Sequence, residues 1–128
     1  MDGLHLTADL RGCPTARPAM TATAALRELC LHSVAAAGLQ PVGELFHRFP
    51  AAGGITGVVL LAESHLAVHT WPELASVTLD VYVCNFGIDN SHRATTLLNA
   101  LIAGFAPHRV ERHALRRGGE PTVDRLPT

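Results

Sequence analysis

An alternation typical of a β-strand, combined with reactive side chains, marks residues 63–73 and constrains the fold more than any other stretch. Successive side chains of an extended chain point to opposite faces, so alternate residues share a face. One face would carry the imidazoles of His65 and His69, and the other would carry mainly aliphatic side chains. A strand that only covered a core would need neither these imidazoles nor Ser64 at its start. The pattern predicts a strand with a reactive site attached.

The segments on either side of this stretch are also extended in character. Residues 57–62 are continuously apolar, which is typical of a buried strand, and residues 77–83 alternate between apolar and polar side chains. The second of these strands ends on Cys84, which falls on its polar side. A hydroxyl, imidazoles and a thiol are therefore predicted at the mouths of neighbouring strands.

Three further strands are predicted outside this central region. Residues 4–10 alternate and form a half-buried strand, and residues 41–49 form a second strand that ends in a flexible loop over residues 50–54. Residues 108–117 form the last strand, which is more polar. None of these segments repeats another, so no internal duplication is expected.

Two helices are predicted between these strands. The first covers residues 21–37, which are rich in alanine and are followed by Gly38, a residue favoured just after a helix. The second is capped by Asp89 or Asn90 and continues to about Phe105, because its apolar residues recur at helical spacing.

These elements predict an α+β fold, a two-layer sandwich in which an antiparallel sheet has two helices packed on one face. The length predicts one domain over residues 1–128, with a loose tail after Gly119. The second face of the sheet has no helix to cover it, and this uncovered face favours association between chains.

Composition excludes several classes of protein. The formal net charge is -1, which argues against a nucleic-acid partner, since a domain that binds nucleic acid is usually basic with clustered Lys and Arg. Three cysteines without paired spacing favour a reducing compartment. Neither a signal peptide nor a membrane-spanning run is recognised, so a soluble cytoplasmic protein without a membrane partner is expected.

The reactive residues also have ordinary interpretations. Serine is common at strand starts, and no Gly-x-Ser-x-Gly motif supports an esterase site around Ser64. In a straight strand Ser64 and His69 point to opposite faces, so a bend would be needed for them to meet. His65 and His69 lie too far apart on a strand to hold a metal with His47 or His5, and no metal is predicted.

The other two features have a structural alternative as well. Cys84 is either a small buried residue or a functional thiol on the polar side of its strand. The sequence Trp-Pro-Glu at residues 71–73 is either a turn with a core indole or the wall of a pocket. An indole beside a carboxylate suits a ligand that has a flat ring together with hydroxyls or an amine.

The motif Glu-Ser-His-x-x-x-His-Thr-Trp-Pro-Glu at residues 63–73, followed by an alternating strand that ends in Cys, resembles the bacterial and archaeal S-adenosylmethionine decarboxylase proenzymes. The resemblance extends over most of the chain. It includes residues 5–13, residues 46–49 and residues 56–59 as well as the helix and strand after the motif.

The resemblance implies self-cleavage between Glu63 and Ser64, which would give chains 1–63 and 64–128. Ser64 Oγ would attack the Glu63 carbonyl carbon, and elimination and hydrolysis would leave a covalent pyruvoyl cofactor at position 64. Its keto carbonyl would form a Schiff base with the substrate amine and accept the electrons released with carbon dioxide. His69 matches the processing residue, and Thr56 matches a hydroxyl residue that assists it.

The resemblance assigns the remaining roles to four residues. Cys84 matches the proton donor of decarboxylation, and Phe49, Trp71 and Glu73 match positions that bind the adenosyl part of the substrate. The implied reaction converts S-adenosylmethionine to its decarboxylated form, an aminopropyl donor for spermidine and other polyamines. Because two helices cover only one face of the sheet and the cleaved halves need paired strands to stay together, a homodimer of αβ units is expected, with a pocket near its interface to which Phe49 contributes.

Three departures from the family pattern lie where a substrate would be held. The loop over residues 50–57 has one extra residue, Leu74 replaces an aromatic residue, and Asn85 replaces a glycine. They keep open a decarboxylase of the same family that acts on L-ornithine or L-arginine. An uncleaved regulatory homologue without activity is the alternative from a different class.

Overall fold

The computed structural model describes residues 2–119, and its strands form one antiparallel sheet in the order β2-β3-β4-β5-β1-β6. The six strands are β1 (Asp2–Arg11), β2 (Pro41–Arg48), β3 (Ile55–Leu61), β4 (Ser64–Trp71), β5 (Ser76–Cys84) and β6 (Arg109–Gly118). Strands β3, β4 and β5 are therefore adjacent both in sequence and in the sheet, which places the predicted reactive segments side by side.

Two helices, α1 (Thr23–Ala36) and α2 (Ser91–Phe105), pack against each other and against the same face of the sheet. The first lies over β2 and β3, and the second lies over β1 and β5. The predicted α+β sandwich is confirmed.

The hydrophobic core lies between this face and the two helices. Strand β4 contributes Leu66 and Val68, both fully buried, and the odd-numbered residues of β5 contribute Val77, Leu79, Val81 and Val83. The alternation read from the sequence correctly assigned these side chains to the core side.

Thr70 is the polar exception on the core side of β4. Its hydroxyl donates a hydrogen bond to the Met20 carbonyl oxygen and accepts one from the Ile55 N–H, both at 2.9 Å. Thr70 is 3% exposed, so water could not replace its hydroxyl. If the hydroxyl were removed, both of its partners would be left buried without a hydrogen bond. This hydroxyl therefore joins the loop before α1 to strands β3 and β4.

We expect Thr70→Val to lower the free energy of unfolding by about 2–4 kcal/mol, because two buried backbone groups lose their partner while the shape is kept. Urea denaturation at one fixed protein concentration measures the change, in a Ser64→Ala background that keeps the chain uncut. Thr95→Val is the matched control, since Thr95 is exposed on α2. A change below about 1 kcal/mol would contradict this role, because it is smaller than the cost of leaving even one buried polar group without a hydrogen bond.

We call the sheet face that carries no helix the open face. His5 Nε2 lies 3.1 Å from Asp80 Oδ1 on this face, and the rings of His65 and Tyr82 stack with centroids 5.6 Å apart. Large apolar side chains are exposed on the same face at its two sides, namely Leu45, Leu60 and Leu115. The open face therefore combines polar pairs at its centre with uncovered apolar side chains.

The boundaries of several elements differ from the prediction by one or two residues. Helix α1 begins at Thr23 rather than at residue 21, because the short 3-10 turn Pro18–Met20 occupies the preceding chain. Strand β3 begins at Ile55, two residues before the predicted start. The loose tail predicted after Gly119 lies outside the described residues.

Candidate active site

Residues Ala62 and Glu63 form the two-residue turn that joins β3 to β4, between the paired residues Leu61 and Ser64. Glu63 has a backbone φ of 57°, in the left-handed region that residues other than glycine seldom occupy. Such a conformation costs on the order of 1–3 kcal/mol and persists only where the surrounding structure imposes it. The peptide bond at which cleavage is predicted therefore follows a strained residue.

Ser64 lies at the first position of β4, and its side chain contacts the end of β5. The Cys84 N–H donates a hydrogen bond of 3.3 Å to Ser64 Oγ, and both residues are half-buried. A hydroxyl that accepts a backbone hydrogen bond is held in one orientation beside the Glu63 turn. We call Glu63, Ser64 and Cys84 the serine end of the site.

At the opposite end of β4, Thr56 and His69 face each other across the β3–β4 ladder. Thr56 Oγ1 and His69 Nδ1 share a hydrogen bond of 3.0 Å. This bond fixes the ring and leaves Nε2 as the nitrogen that can exchange a proton with a further group. Thr56 therefore holds the His69 ring in one orientation.

Aromatic side chains surround this histidine. The indole of Trp71 stacks on the His69 ring with centroids 6.4 Å apart, and Phe49 meets the His47 ring edge-on at 4.7 Å. A small, mainly apolar cavity of about 110 Å³ is lined by the predicted substrate-binding and processing residues together, namely Phe49, Thr56, His69, Trp71 and Glu73. We call these five residues the histidine end of the site.

The loop before β3 carries Phe49 to this cavity. The Phe49 N–H donates to the Gly54 carbonyl oxygen at 2.8 Å, and the Gly53 N–H donates to the Phe49 carbonyl oxygen at 3.1 Å. A Cβ atom at Gly54 would lie 2.7 Å from the Thr70 carbonyl oxygen, so only glycine lets this loop pass so close to β4. These two bonds and the close approach of Gly54 to β4 hold Phe49 at the cavity.

The two ends do not meet within one chain. Ser64 and His69 are five residues apart on β4, and a strand rises about 3.4 Å per residue, so their Cα atoms are about 17 Å apart. The register of β4 against β3 and β5 is regular, without the bend that would bring them together. The structure therefore places Ser64 with Cys84, and His69 with Thr56, at opposite ends of the strand.

A larger hollow of about 590 Å³ opens beside the serine end. It is lined by the start of β1, the connection from β5 to α2, and Arg116 of β6. Asn85, the residue after Cys84, contributes to it. The hollow therefore reaches the residue that follows Cys84, but neither Ser64 nor Cys84 lines it.

The three thiols differ in their surroundings. Burial raises the pKa of the Cys13 thiol, and burial together with the nearby Glu44 carboxylate raises the pKa of the Cys30 thiol to about 12. Cys84 is half-buried, whereas the other two thiols are buried. Of the three, Cys84 is therefore the thiol that a substrate or reagent can reach.

The start of α2 contains an arrangement that sequence reasoning missed. Asn90 occupies the N-cap position of α2 but makes no capping bond through its side chain. Asp89, one residue earlier, accepts a hydrogen bond on Oδ1 from the Ser91 N–H at 2.9 Å, and this bond lowers the pKa of the Asp89 carboxyl. The Asn90 side chain instead donates to the Cys84 carbonyl oxygen at 3.0 Å. Its position directly before a helix indicated a cap and hid the contact with Cys84.

Among residues 2–119, no group of three or more histidine, cysteine, aspartate or glutamate side chains is arranged to hold a metal ion. Within the same residues no helix has the length and apolar character needed to cross a membrane.

Comparison with known proteins identifies the family. A family model described as S-adenosylmethionine decarboxylase matches residues 4–118. The S-adenosylmethionine decarboxylase proenzyme of Aquifex aeolicus is 35% identical over 91% of this chain and 81% of its own length. The proenzyme of the same name from Symbiobacterium thermophilum is 36% identical over 95% of this chain and 87% of its own length.

A solved structure agrees with the sequence matches. The crystal structure of the adenosylmethionine decarboxylase from Aquifex aeolicus superposes with a TM-score of 0.83 at 33% identity, over 93% of this chain and 92% of that one. The fold, the sequence matches and the motif at residues 63–73 agree, and the predicted resemblance is confirmed. The chain belongs to the S-adenosylmethionine decarboxylase family.

Proposed function

We propose that this protein cleaves itself between Glu63 and Ser64 and then decarboxylates S-adenosylmethionine with the pyruvoyl group formed at position 64. One observation carries the proposal: Ser64 Oγ is held by the Cys84 N–H directly after the strained residue Glu63. The nucleophile Ser64 and the bond to be cut therefore lie at the start of β4. The predicted proton donor, Cys84, lies beside them at the end of β5.

The cleavage chemistry follows from these residues. Ser64 Oγ attacks the Glu63 carbonyl carbon, the C–N bond breaks, and its nitrogen takes the hydroxyl proton, so that an ester replaces the peptide bond. A base then removes the Ser64 Cα proton, and the Glu63 carboxylate leaves. Hydrolysis of the resulting enamine consumes one water, releases ammonia and leaves the pyruvoyl group. Relief of the left-handed Glu63 conformation favours the first step.

The serine end fits a pyruvoyl group. Position 64 is half-buried at a strand end, and the Cys84 N–H points at its side chain as a ready hydrogen-bond donor. Once formed, the pyruvoyl group supplies a keto carbonyl that holds the substrate amine and accepts the electrons released with carbon dioxide. The half-buried Cys84 thiol lies on the adjacent strand end and delivers a proton to the product carbon.

The histidine end suits an adenosyl group. Phe49 and Trp71 offer flat apolar surfaces, and the Glu73 carboxylate at the edge of the same cavity can accept hydrogen bonds from ribose hydroxyls. A base stacked on an aromatic side chain gains roughly 1–3 kcal/mol by analogy with nucleic-acid platforms. Ornithine and arginine have no aromatic ring to use these surfaces.

The separation of the two ends supports a site that is completed by a second copy of the chain. A side chain cannot reach across about 17 Å of strand, so the His69 that acts on Ser64 belongs to another protomer. A two-fold axis through the paired open faces would bring each serine end to the histidine end of its partner and complete two equal sites. The assembly we propose is this homodimer.

The open face supports that assembly. Its exposed aliphatic side chains would be covered, with Leu45 72%, Leu60 49% and Leu115 57% exposed in the single chain. In its central pair, His5 Nε2 and Asp80 Oδ1 are already hydrogen-bonded to each other, so these two atoms keep a partner when the face is covered. A cavity of about 110 Å³ also falls short of the 300–1,000 Å³ of usual ligand sites, as expected for half of a site.

Denaturing mass spectrometry combined with a substrate assay tests the proposal. We expect two fragments, with the second lighter by one ammonia than a chain that starts with serine and reactive towards a carbonyl reagent. Carbon dioxide release should be largest from S-adenosylmethionine when it is compared with ornithine, arginine and lysine.

Two results would contradict different parts of the proposal. A single full-length mass after long incubation, without carbonyl labelling, would exclude self-cleavage and favour an uncleaved homologue. Turnover of an amino acid without turnover of S-adenosylmethionine would keep the pyruvoyl chemistry and make the substrate wrong.

A further inference from the structure

Two asparagines build the connection between β5 and α2, and their side chains bind backbone and neighbouring side chains. Asn85 Oδ1 accepts a hydrogen bond from the Asn90 N–H at 2.8 Å, and Asn85 Nδ2 donates to Ser91 Oγ at 3.1 Å. The Asn85 N–H donates to the Asp2 carbonyl oxygen at 2.7 Å. The connection is thus tied to β1 and to the start of α2.

The Asn90 side chain bridges Cys84 and a cation. Asn90 Nδ2 donates to the Cys84 carbonyl oxygen at 3.0 Å, and Asn90 Oδ1 accepts from the Arg93 guanidinium at 2.8 Å. An amide whose oxygen accepts from a cation is polarised and becomes a stronger donor through its nitrogen. Arg93 passes over Gly38 after α1, where a Cβ atom would lie 3.5 Å from its Nε atom.

Cys84 is therefore held on both sides of its Cα atom. Its N–H donates to Ser64 Oγ on β4, and its carbonyl oxygen accepts from Asn90 at the start of α2. Cys84 is the last residue of β5, so its carbonyl oxygen lies where the strand gives way to the connection. Without Asn90 the Cys84 carbonyl oxygen would lose its bond to the start of α2, while the bond from the Asn85 N–H to the Asp2 carbonyl oxygen would remain.

We infer that Asn90, oriented by Arg93, is a positioning residue that fixes the backbone of Cys84 and so aims its thiol at the reacting carbon. The inference rests on the proposed function, in which Cys84 delivers a proton to the product. Neither Asn90 nor Arg93 lines the hollow beside the serine end or the cavity at the histidine end. Both act through Cys84, and their loss should alter the thiol before it alters substrate binding.

Alkylation of Cys84 by iodoacetamide tests this inference without turnover. In the Ser64→Ala background the chain stays uncut, and burial protects Cys13 and Cys30, so the reaction reports on Cys84. We expect iodoacetamide to alkylate Cys84 about five-fold faster in the Asn90→Ala variant than in the parent. The loss of one hydrogen bond should raise the population of a state in which the Cys84 thiol is exposed by about this factor. Peptide mapping confirms the modified residue.

The matched control is Asp89→Ala, in the same connection. This substitution removes the hydrogen bond from the Ser91 N–H to Asp89 at the start of α2, but it leaves the bond between Asn90 and the Cys84 carbonyl oxygen. The alkylation rate of Cys84 should therefore stay within about two-fold of the parent. Arg93→Lys keeps a cation for Asn90 Oδ1 and should retain the parent rate. Arg93→Gln removes the charge and should raise the rate.

In the cleaved enzyme, Asn90→Ala should lower kcat about five-fold and leave KM within about two-fold, because thiol geometry acts after binding. Parent-like alkylation of Asn90→Ala would overturn the inference. If that variant does not fold, equal rates for Arg93→Gln and Arg93→Lys would overturn it instead. Undiminished turnover of Cys84→Ala would contradict the proton-donor role of Cys84 in the proposed function. The alkylation rates would still test whether Asn90 holds the Cys84 thiol in place.

Discussion

Co-expression of a Ser64→Ala chain with a His69→Ala chain is expected to restore cleavage and turnover that neither variant has alone. In a mixed dimer one site combines the intact Ser64 of one chain with the intact His69 of the other, and the second site has neither. Random pairing makes half of the dimers mixed, so about one quarter of the wild-type activity should return. Differently tagged chains allow the cut fraction of the His69→Ala chain to be measured by mass.

The matched control pairs Ser64→Ala with Cys84→Ala. Both residues lie at the serine end, so a mixed dimer of these chains contains no intact site, and turnover should not return. A His69→Ala chain that stays uncut in a purified mixed dimer would show that the site is not shared between chains. The distance along β4 would then need a rearrangement that brings His69 to Ser64 within one chain.

Cys84→Ala should still be cut between Glu63 and Ser64 but should decarboxylate roughly 10²-fold more slowly, because a positioned acid typically contributes 10²–10⁴-fold. The backbone N–H that holds Ser64 Oγ is unchanged by this substitution, which is why cleavage is expected to survive. Intact mass measures cleavage, and carbon dioxide release measures turnover.

Cys13→Ala is the control for this substitution. Its thiol is buried in the loop after β1, and Cys13 lines neither the hollow beside the serine end nor the cavity at the histidine end, so turnover should stay within about two-fold of the parent. Full activity of Cys84→Ala would show that the thiol only packs between its neighbours and that another group supplies the proton.

Periodicity predicted most of the fold, because the side chains that alternate along a strand also decide which face is buried. The assignment of Leu66 and Val68 to the core side of β4, and of His65 and His69 to the opposite side, is confirmed by their burial. The start of α1 was placed too early, because the tight turn Pro18–Met20 has helix-like residues without continuing the helix.

The candidate site could be predicted only in part. The motif at residues 63–73 indicated which residues react, but not which of them lie together. The sequence indicated that Ser64 and His69 could meet only through a bend, and the extended strand instead separates them by about 17 Å. Cys84 is twenty residues beyond Ser64, yet the β4–β5 pairing brings its N–H to the serine hydroxyl.

The sequence by itself determined the strands and helices, the buried face of each, the family and the residue types that can react, because these depend on local spacing and on a specific motif. Only the tertiary structure decided the left-handed turn at Glu63, the contact of Ser64 with Cys84, and the contact of Asn90 with the Cys84 carbonyl oxygen. These features depend on strand register and on where α2 begins relative to β5. Register and packing are set by contacts between distant residues, which no local pattern specifies.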